Sequence, residues 1–351
     1  MRQATAIAIG LGIFAAAVVV AAQSPERKRY VQLTGVNLSG GEFGADRLPG
    51  RFNVNYTYPT LQTIEYFTGK GMNVGRLPVL WERIQLQHSR ELYEPEMQRI
   101  DEIVNFATAK GMRVIIDVHN YAAYHGSVIG SENLPISAFG DLWRRLAVRY
   151  RSNDAVIFGL MHAPTKLSTE RWLEATNHAI AEIRNAHAQN LILVPGNGWS
   201  SARDWTSSHY GTPNGRVMLG VSDPRDNYMY EVHQYFDEDY SGTKPECRPA
   251  EAAVETLKPF TEWARQHRKR GFLGQFGVGT NPNCLDVLNR VLSYMAHNND
   301  VWHGWAYWAA GEWWSKDFFS NLQPLHNEDR PQMAILQQYI KRQSTRLDGS
   351  E

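Results

Sequence analysis

The sequence predicts an α/β fold, a single-domain (β/α)8 TIM barrel. Short runs rich in Val, Ile, Leu and aromatics recur along its 351 residues, with helical patterns between them. The runs lack strict apolar/polar alternation, as parallel strands buried on both faces should. Eight such runs alternating with helices are the pattern that closes a barrel.

In order, the predicted strands are Val31–Leu38, Asn73–Val79, Arg113–His119, Val156–Met161, Leu191–Pro195, Met229–Tyr235, Phe272–Phe276 and Val301–Trp308. Helical patterns cover Pro95–Lys110, Ala138–Arg151, Ser168–His187, Ala250–Arg270, Leu285–Asn298 and Arg330–Lys341. Lys70-Gly71 and Lys110-Gly111 each put a basic residue and a glycine where a helix should stop before a strand. After the fifth strand, Trp199–Tyr210 predicts only a short helical turn. The barrel takes residues 30–341, with a polar tail over 342–351 and a short charged spacer over 23–29.

Residues 1–22 have the pattern of a signal peptide. Arg2 gives a basic start, Ala4 to Ala22 is uncharged and apolar, and Val20-Ala21-Ala22 supplies small residues before a cut. The run is long for such a segment, so an uncleaved membrane anchor is the alternative. A secreted or periplasmic protein is expected. Cys247 and Cys284 suit an oxidising compartment, and without a paired histidine motif they predict no zinc or other metal site.

Lys plus Arg and Asp plus Glu are equal at 36 each, so no net charge points to nucleic acid or an anionic membrane. A monomer is expected. The 11 Trp and 16 Tyr residues suit both core packing and stacking on flat ligands. The glycine pairs Gly196-Asn197-Gly198 and Gly277-Val278-Gly279 lack the strand, loop and acid of a dinucleotide fingerprint. Phosphate-loop, Gly-x-Ser-x-Gly and His-Glu-x-x-His motifs are missing from the sequence, and no cofactor is predicted.

A barrel of this kind carries its function at the C-terminal ends of the strands. Those ends hold Asn37, Arg76, His119 with Asn120 and Tyr121, His162 with Ala163, Asn197 with Trp199, His233 with Tyr235, Gln275, and Trp308. Taken alone, each histidine also suits a hydrogen-bonded core position, and Arg76 suits a buried ion pair. Together they are more polar and aromatic than packing requires.

Six strings in order resemble the cellulase-type endo-β-1,4-glucanases of glycoside hydrolase family five. They are Gly35-Val36-Asn37-Leu38, Arg76-Leu77-Pro78-Val79, Asp117-Val118-His119-Asn120-Tyr121, Val194-Pro195-Gly196-Asn197, Glu231-Val232-His233-Gln234-Tyr235 and Gly304-Trp305-Ala306-Tyr307-Trp308-Ala309-Ala310-Gly311. The resemblance runs from about Gln32 to about Tyr339. It implies a barrel acting on β-1,4-glucan and a disulfide between Cys247 and Cys284. It also implies that Arg76 orients the residue at position 275, and that His119, Asn120, His233 and Tyr235 surround the scissile sugar. Trp308 becomes the aromatic floor under a glucosyl ring.

The same resemblance places Ala163 where the family has its acid/base glutamate and Gln275 where it has its nucleophile. His162 stands where the family has Asn. Alanine has no proton to give, and an amide is a poor nucleophile. The expectation is a chain that binds β-1,4-glucan through Arg76, His119, Asn120, His162, His233, Tyr235, Gln275 and Trp308 but is not an enzyme. The alternatives are an active endo-β-1,4-glucanase using a surrogate group, with His162 or Glu312 as candidates, and a scaffold for an extracellular polysaccharide machine.

Overall fold

The structure is a computed structural model that describes residues 31–326 and 328–340; the predicted signal peptide, spacer and tail lie outside them. Among the described residues, parallel strands close a barrel in sequence order. They are β1 Leu33–Leu38, β2 Val74–Val79, β3 Arg113–Val118, β4 Val156–Gly159, β5 Ile192–Pro195, β6 Tyr228–His233, β7 Gly271–Gln275 and β8 Trp302–Ala310. All eight fall within the predicted runs or within two residues of them. Strand identity follows from burial on both faces, whereas strand ends depend on backbone pairing that composition does not encode.

Side chains alternate between the inside and outside of a strand. One residue from every strand meets in the lower interior: Leu33, Val74, Ile115, Ile157, Leu193, Met229, Phe272 and Ala306. A larger apolar cluster fills the space between the strands and the outer helices. Two residues further along their strands, Arg76, Asp117 and Glu231 sit above the apolar layer and are fully buried.

The outer helices start and stop on local signals. Thr60 accepts from Thr63 N to cap Leu61–Gly69, and Ser168 accepts from Arg171 N to cap Thr169–Asn185. Gly71 and Gly111 take φ of 89° and 81°, the left-handed stop that favours glycine. The long pattern over 250–270 is instead two helices, Ala250–Glu255 and Lys258–Gln266. Pro259 explains the break: without an N–H it is tolerated in a first turn but not in a helix interior. The closing pattern shortens to Pro331–Leu336 with a 3-10 turn over Gln337–Tyr339.

A small hairpin, Ala123–Tyr124 with Ser127–Val128, follows β3 and was not predicted. Its turn residues His125 and Gly126 both have positive φ, as tight hairpin turns require. Cys247 and Cys284 form a disulfide with Cα atoms 5.2 Å apart. No helix among the described residues is long and apolar enough to cross a membrane.

Candidate active site

Strand alternation builds the site in layers. On β3, Ile115, Asp117 and His119 follow at two-residue spacing, and on β6 Met229, Glu231 and His233 do the same. The first of each set is apolar and the second is a buried carboxylate. The third is an imidazole lining the cavity at the barrel mouth. Arg76 on β2 bridges the two carboxylates, 3.0 Å from Asp117 Oδ1 and 2.9 Å from Glu231 Oε1. It also donates to Asn37 Oδ1 at 2.9 Å. Burial alone would raise the Asp117 pKa, but the Arg76 guanidinium and His119 hold it below the ordinary aspartate value. Gly274 on β7 is required here, since a Cβ would come within 2.1 Å of Glu231 Oε1.

Above this layer the imidazoles form a column. His119 and His162 stack with centroids 3.6 Å apart and planes 7° from parallel. His162 and His233 stack at 5.0 Å and 24°, and Trp308 lies 5.8 Å from His119 at 21°. Each outer imidazole is backed by a carboxylate. Asp117 Oδ2 lies 2.7 Å from His119 Nδ1, and Glu231 Oε1 lies 3.1 Å from His233 Nε2. A carboxylate anion only accepts, so these ring nitrogens are the donors. Burial and the flanking imidazoles push the His162 pKa well below the usual range, which keeps it neutral. Burial also lowers the pKa of His233, against the opposing pull of Glu231.

Gln275 closes the network. Its Oε1 accepts from the Tyr235 hydroxyl at 3.0 Å, and its Nε2 faces His162 Nδ1 at 3.4 Å. The register of β6 against β7 shifts between Val232 and His233, which places His233 beside Gln275. Ala163 sits next to His162 in the cavity wall with φ of 42°, a left-handed conformation that is costly for a side-chain residue. Tyr121 and Trp199 share this strain with φ of 53° and 63°, and both line the cavity. Strained residues gather where function over-determines the backbone. The cavity measures about 480 Å³, and its rim exposes Trp199 at 49% and Tyr121 at 40%.

The structure brings His119, His162, Ala163, His233, Tyr235, Gln275 and Trp308 together around this cavity. Arg76 and Asn120 lie outside its lining. The expectation that Arg76 orients position 275 is corrected, because its guanidinium is taken up by Asp117, Glu231 and Asn37. Asn120 accepts from Trp81 N at 2.7 Å and donates to Glu82 at 2.7 Å, a role in loop packing. Glu312 is occupied elsewhere: it accepts from Thr60 N, Thr60 Oγ1 and Thr63 Oγ1 at 2.8, 2.8 and 2.6 Å.

Sequence reasoning missed Asp117 and Glu231 as partners of the histidines. The signal was present as an acid two residues before His119 and another two before His233, each pair on one strand face. It also missed Glu42, in the loop after β1, whose carboxyl pKa is raised by burial against the lowering pull of nearby His119.

Asp117, His119 and His162 bring possible ligand atoms within 4.8 Å of one another. Asp117 is already engaged by Arg76 and His119. Imidazole lone pairs lie in the ring planes, so two parallel rings do not converge on one ion. The set fits a hydrogen-bonded stack better than a metal centre.

A closed parallel barrel with a polar, aromatic-rimmed cavity at its C-terminal face is the architecture of a barrel enzyme. Residues 26–311 match the cellulase family, glycosyl hydrolase family 5, and the chain belongs to that family. It is 34% identical over 316 residues to endo-beta-1,4-glucanase B of Aspergillus niger, covering 90% of this chain and 92% of that protein. The solved endo-beta-1,4-glucanase Xac0029 from Xanthomonas axonopodis pv. citri superposes with a TM-score of 0.87 at 47% identity. That match covers 88% of this chain and 98% of the other. XacCel5A in complex with cellopentaose superposes with a TM-score of 0.87 at 44% identity, covering 88% and 99%.

These relatives overturn the expectation that the chain is not an enzyme, since the Aspergillus niger protein and Xac0029 are named endo-β-1,4-glucanases and align along 90% and 88% of it. That expectation weighed Ala163 and Gln275, with His162 and Glu312 as surrogates. It left out two carboxylate-backed imidazoles in the same cavity, groups of the kind that carry protons in catalysis.

Proposed function

We propose that the chain is an endo-β-1,4-glucanase that binds a β-1,4-glucan chain across the barrel mouth and hydrolyses it. The observation that carries this is the cavity itself, where Trp308, Trp199 and Tyr121 stand around polar groups at the ends of β3, β4, β6 and β7. Aromatic faces suit the C–H faces of glucosyl rings, and fixed polar groups suit their hydroxyls. The XacCel5A complex with cellopentaose supports the same ligand class for this cleft.

In this function Ala163 and Gln275 occupy the acid/base and nucleophile positions of the family, so proton transfer falls to other groups. Glu312 is committed to a helix start, which leaves the imidazoles of the column. Trp308 supports the sugar ring, while Tyr235 and His162 hold the Gln275 amide in one orientation. Export of the mature chain rests on the N-terminal segment of the sequence, and the disulfide between Cys247 and Cys284 supports it.

Release of new reducing ends from a soluble cellulose derivative tests the function. Folded protein that binds cellopentaose and releases none overturns it.

A further inference from the structure

The end of the barrel opposite the cleft has a charge character of its own. We infer that this end docks on an anionic phospholipid surface and turns the cleft away from it. Docking there is independent of hydrolysis.

Lys plus Arg equals Asp plus Glu at 36 each, but the equality hides an asymmetry. The connections that lead into β3, β4, β6 and β7 carry Arg113, Arg151, Arg225, Arg268, Lys269 and Arg270. Lys269 and Arg270 are half-buried and the other four are exposed. Where these side chains bond among the described residues, it is to neutral oxygens. Arg113 donates to Asp154 O at 3.3 Å, Arg151 to Ala186 O at 3.2 Å, Lys269 to the Tyr228 hydroxyl at 3.0 Å and Arg270 to Asp226 O at 2.5 Å. Such bonds leave the charge uncompensated. Asp223 and Asp300, acids of the same face, are taken by Arg184 and Arg265. Asp154 and Asp226 are left against the cations.

A helix C-terminus attracts a cation by itself, within its last turn. Lys70 and Lys110 stand at such ends and are paired with Asp329 and Glu65. Arg113, Arg225 and Arg270 lie past any helical turn, in connections or at a strand start. At the cleft end the signs mix: Arg203 pairs with Asp204, and Lys244 lies 3.5 and 3.0 Å from Glu238 and Asp239.

The partner follows from the chain that enters at the basic face. Gln32 N donates to His303 O, so residues 1–30 lead into β1 at this end of the barrel. Their sequence holds the uncharged apolar run from Ala4 to Ala22 and then Arg27, Lys28 and Arg29. Acyl chains suit the run, and anionic headgroups suit the cations that follow it. The basic face extends that second set. An acidic polysaccharide would match the cations but leave the apolar run without a partner.

Sedimentation of the full chain with vesicles tests this. Phosphatidylcholine vesicles containing phosphatidylglycerol are compared with phosphatidylcholine alone. The apolar run acts on both, so the ratio of bound protein reads the charge. The anionic vesicles should be preferred, less so as added salt shortens the screening length. Each Lys or Arg near such a surface is worth on the order of five-fold in partitioning. Arg113→Gln, Arg225→Gln and Arg268→Gln together should therefore lower the ratio by roughly 100-fold. Arg51→Gln, Arg90→Gln and Lys316→Gln remove the same charge from the cleft end and should leave the ratio nearly unchanged. Equal ratios for the two triple variants would reduce the effect to total charge and overturn the docking face. Equal binding of the unaltered chain to both vesicles would also overturn it, as would binding to polygalacturonate without binding to the anionic vesicles. Vesicle-bound protein should keep its affinity for cellopentaose, read by tryptophan fluorescence. Loss of that affinity on the vesicle would turn the cleft toward the lipid and overturn the orientation. A chain that releases no reducing ends from cellulose leaves each of these readings as it stands.

Discussion

Two polar layers lie one above the other in this barrel, and they are held together differently. The lower layer, Arg76 with Asp117, Glu231 and Asn37, is sealed from solvent. Its guanidinium meets both acids and an amide, and Asn37 also donates to Gly274 O and Ala306 O at 2.9 and 3.0 Å. The upper layer, at the cavity, relies on ring stacking, single hydrogen bonds and left-handed backbone at Tyr121, Ala163 and Trp199. A buried charge without a partner is far more costly than a loosely held side chain at a wet rim. The lower layer is therefore a foundation, and the upper layer is free to serve a ligand.

The sharpest way to break this contrast is at Arg76. Arg76→Met leaves Asp117 and Glu231 facing each other without a counter-ion. Removing one partner of a buried pair typically costs about 3–5 kcal/mol. Denaturant unfolding of the variant should show a loss of that size. A loss below about 1 kcal/mol, the range of surface pairs, would place Arg76 outside the foundation.

The cavity rim has its own fastening on the far side. The loop after β6 carries Tyr240, which lies between Arg203 at 4.0 Å and Arg248 at 4.5 Å. Cys247 in the same loop is bonded to Cys284, at the start of the helix Pro282–His297. The paired substitution Cys247→Ala and Cys284→Ala should cost about 2–4 kcal/mol, chiefly by freeing the unfolded chain. Thermal unfolding under oxidising conditions measures it. An unchanged midpoint would mean that the arginines and tyrosine hold the loop without the crosslink.

How much of each layer the sequence revealed differs in the same way. The strands were legible because runs buried on both faces carry their own composition. The histidines and Trp308 were legible because they sit at the ends of those runs. The ion pairs were not, because Arg76, Asp117 and Glu231 come from three strands and meet only when the barrel closes. Arg76 was consequently assigned to Gln275, which it does not reach for a hydrogen bond. The two-residue spacing from acid to histidine on β3 and β6 was readable, but it gains meaning only once both strands face one interior. Pro259 shows the local case, where one residue splits a pattern that periodicity alone runs together.

Acid should separate the layers by titration. The folded pKa values of His162 and His233 lie below the ordinary imidazole value. As pH falls below about 6.5 the unfolded chain takes up protons first. The stability these histidines contribute is complete above that pH and is lost as pH falls toward their folded values. Asp117 is also depressed, so its contribution is lost only at lower pH, below the ordinary aspartate value of about 3.9. Each group adds a slope of at most about 1.4 kcal/mol per pH unit. His162→Asn should flatten the upper part of the curve and leave the lower part in place. A curve unchanged between pH 6.5 and 5 would mean that His162 is not held neutral by its stack.

The smallest effect tests the rim as a ligand surface. Trp308 stacks on the His119 end of the imidazole column and lines the cavity beside Gln275. Its ring offers a flat apolar face where a glucosyl ring needs one. Trp308→Ala should weaken cellopentaose binding by about 0.5–1.5 kcal/mol, the scale of aromatic contacts. That is roughly a two- to thirteen-fold rise in Kd by calorimetry. The Arg76 and Trp308 variants then move different quantities, since the first lowers the unfolding free energy and the second lowers affinity. If Trp308→Ala unfolds as easily as Arg76→Met and binds as well as the unaltered chain, the division between foundation and ligand surface is drawn in the wrong place.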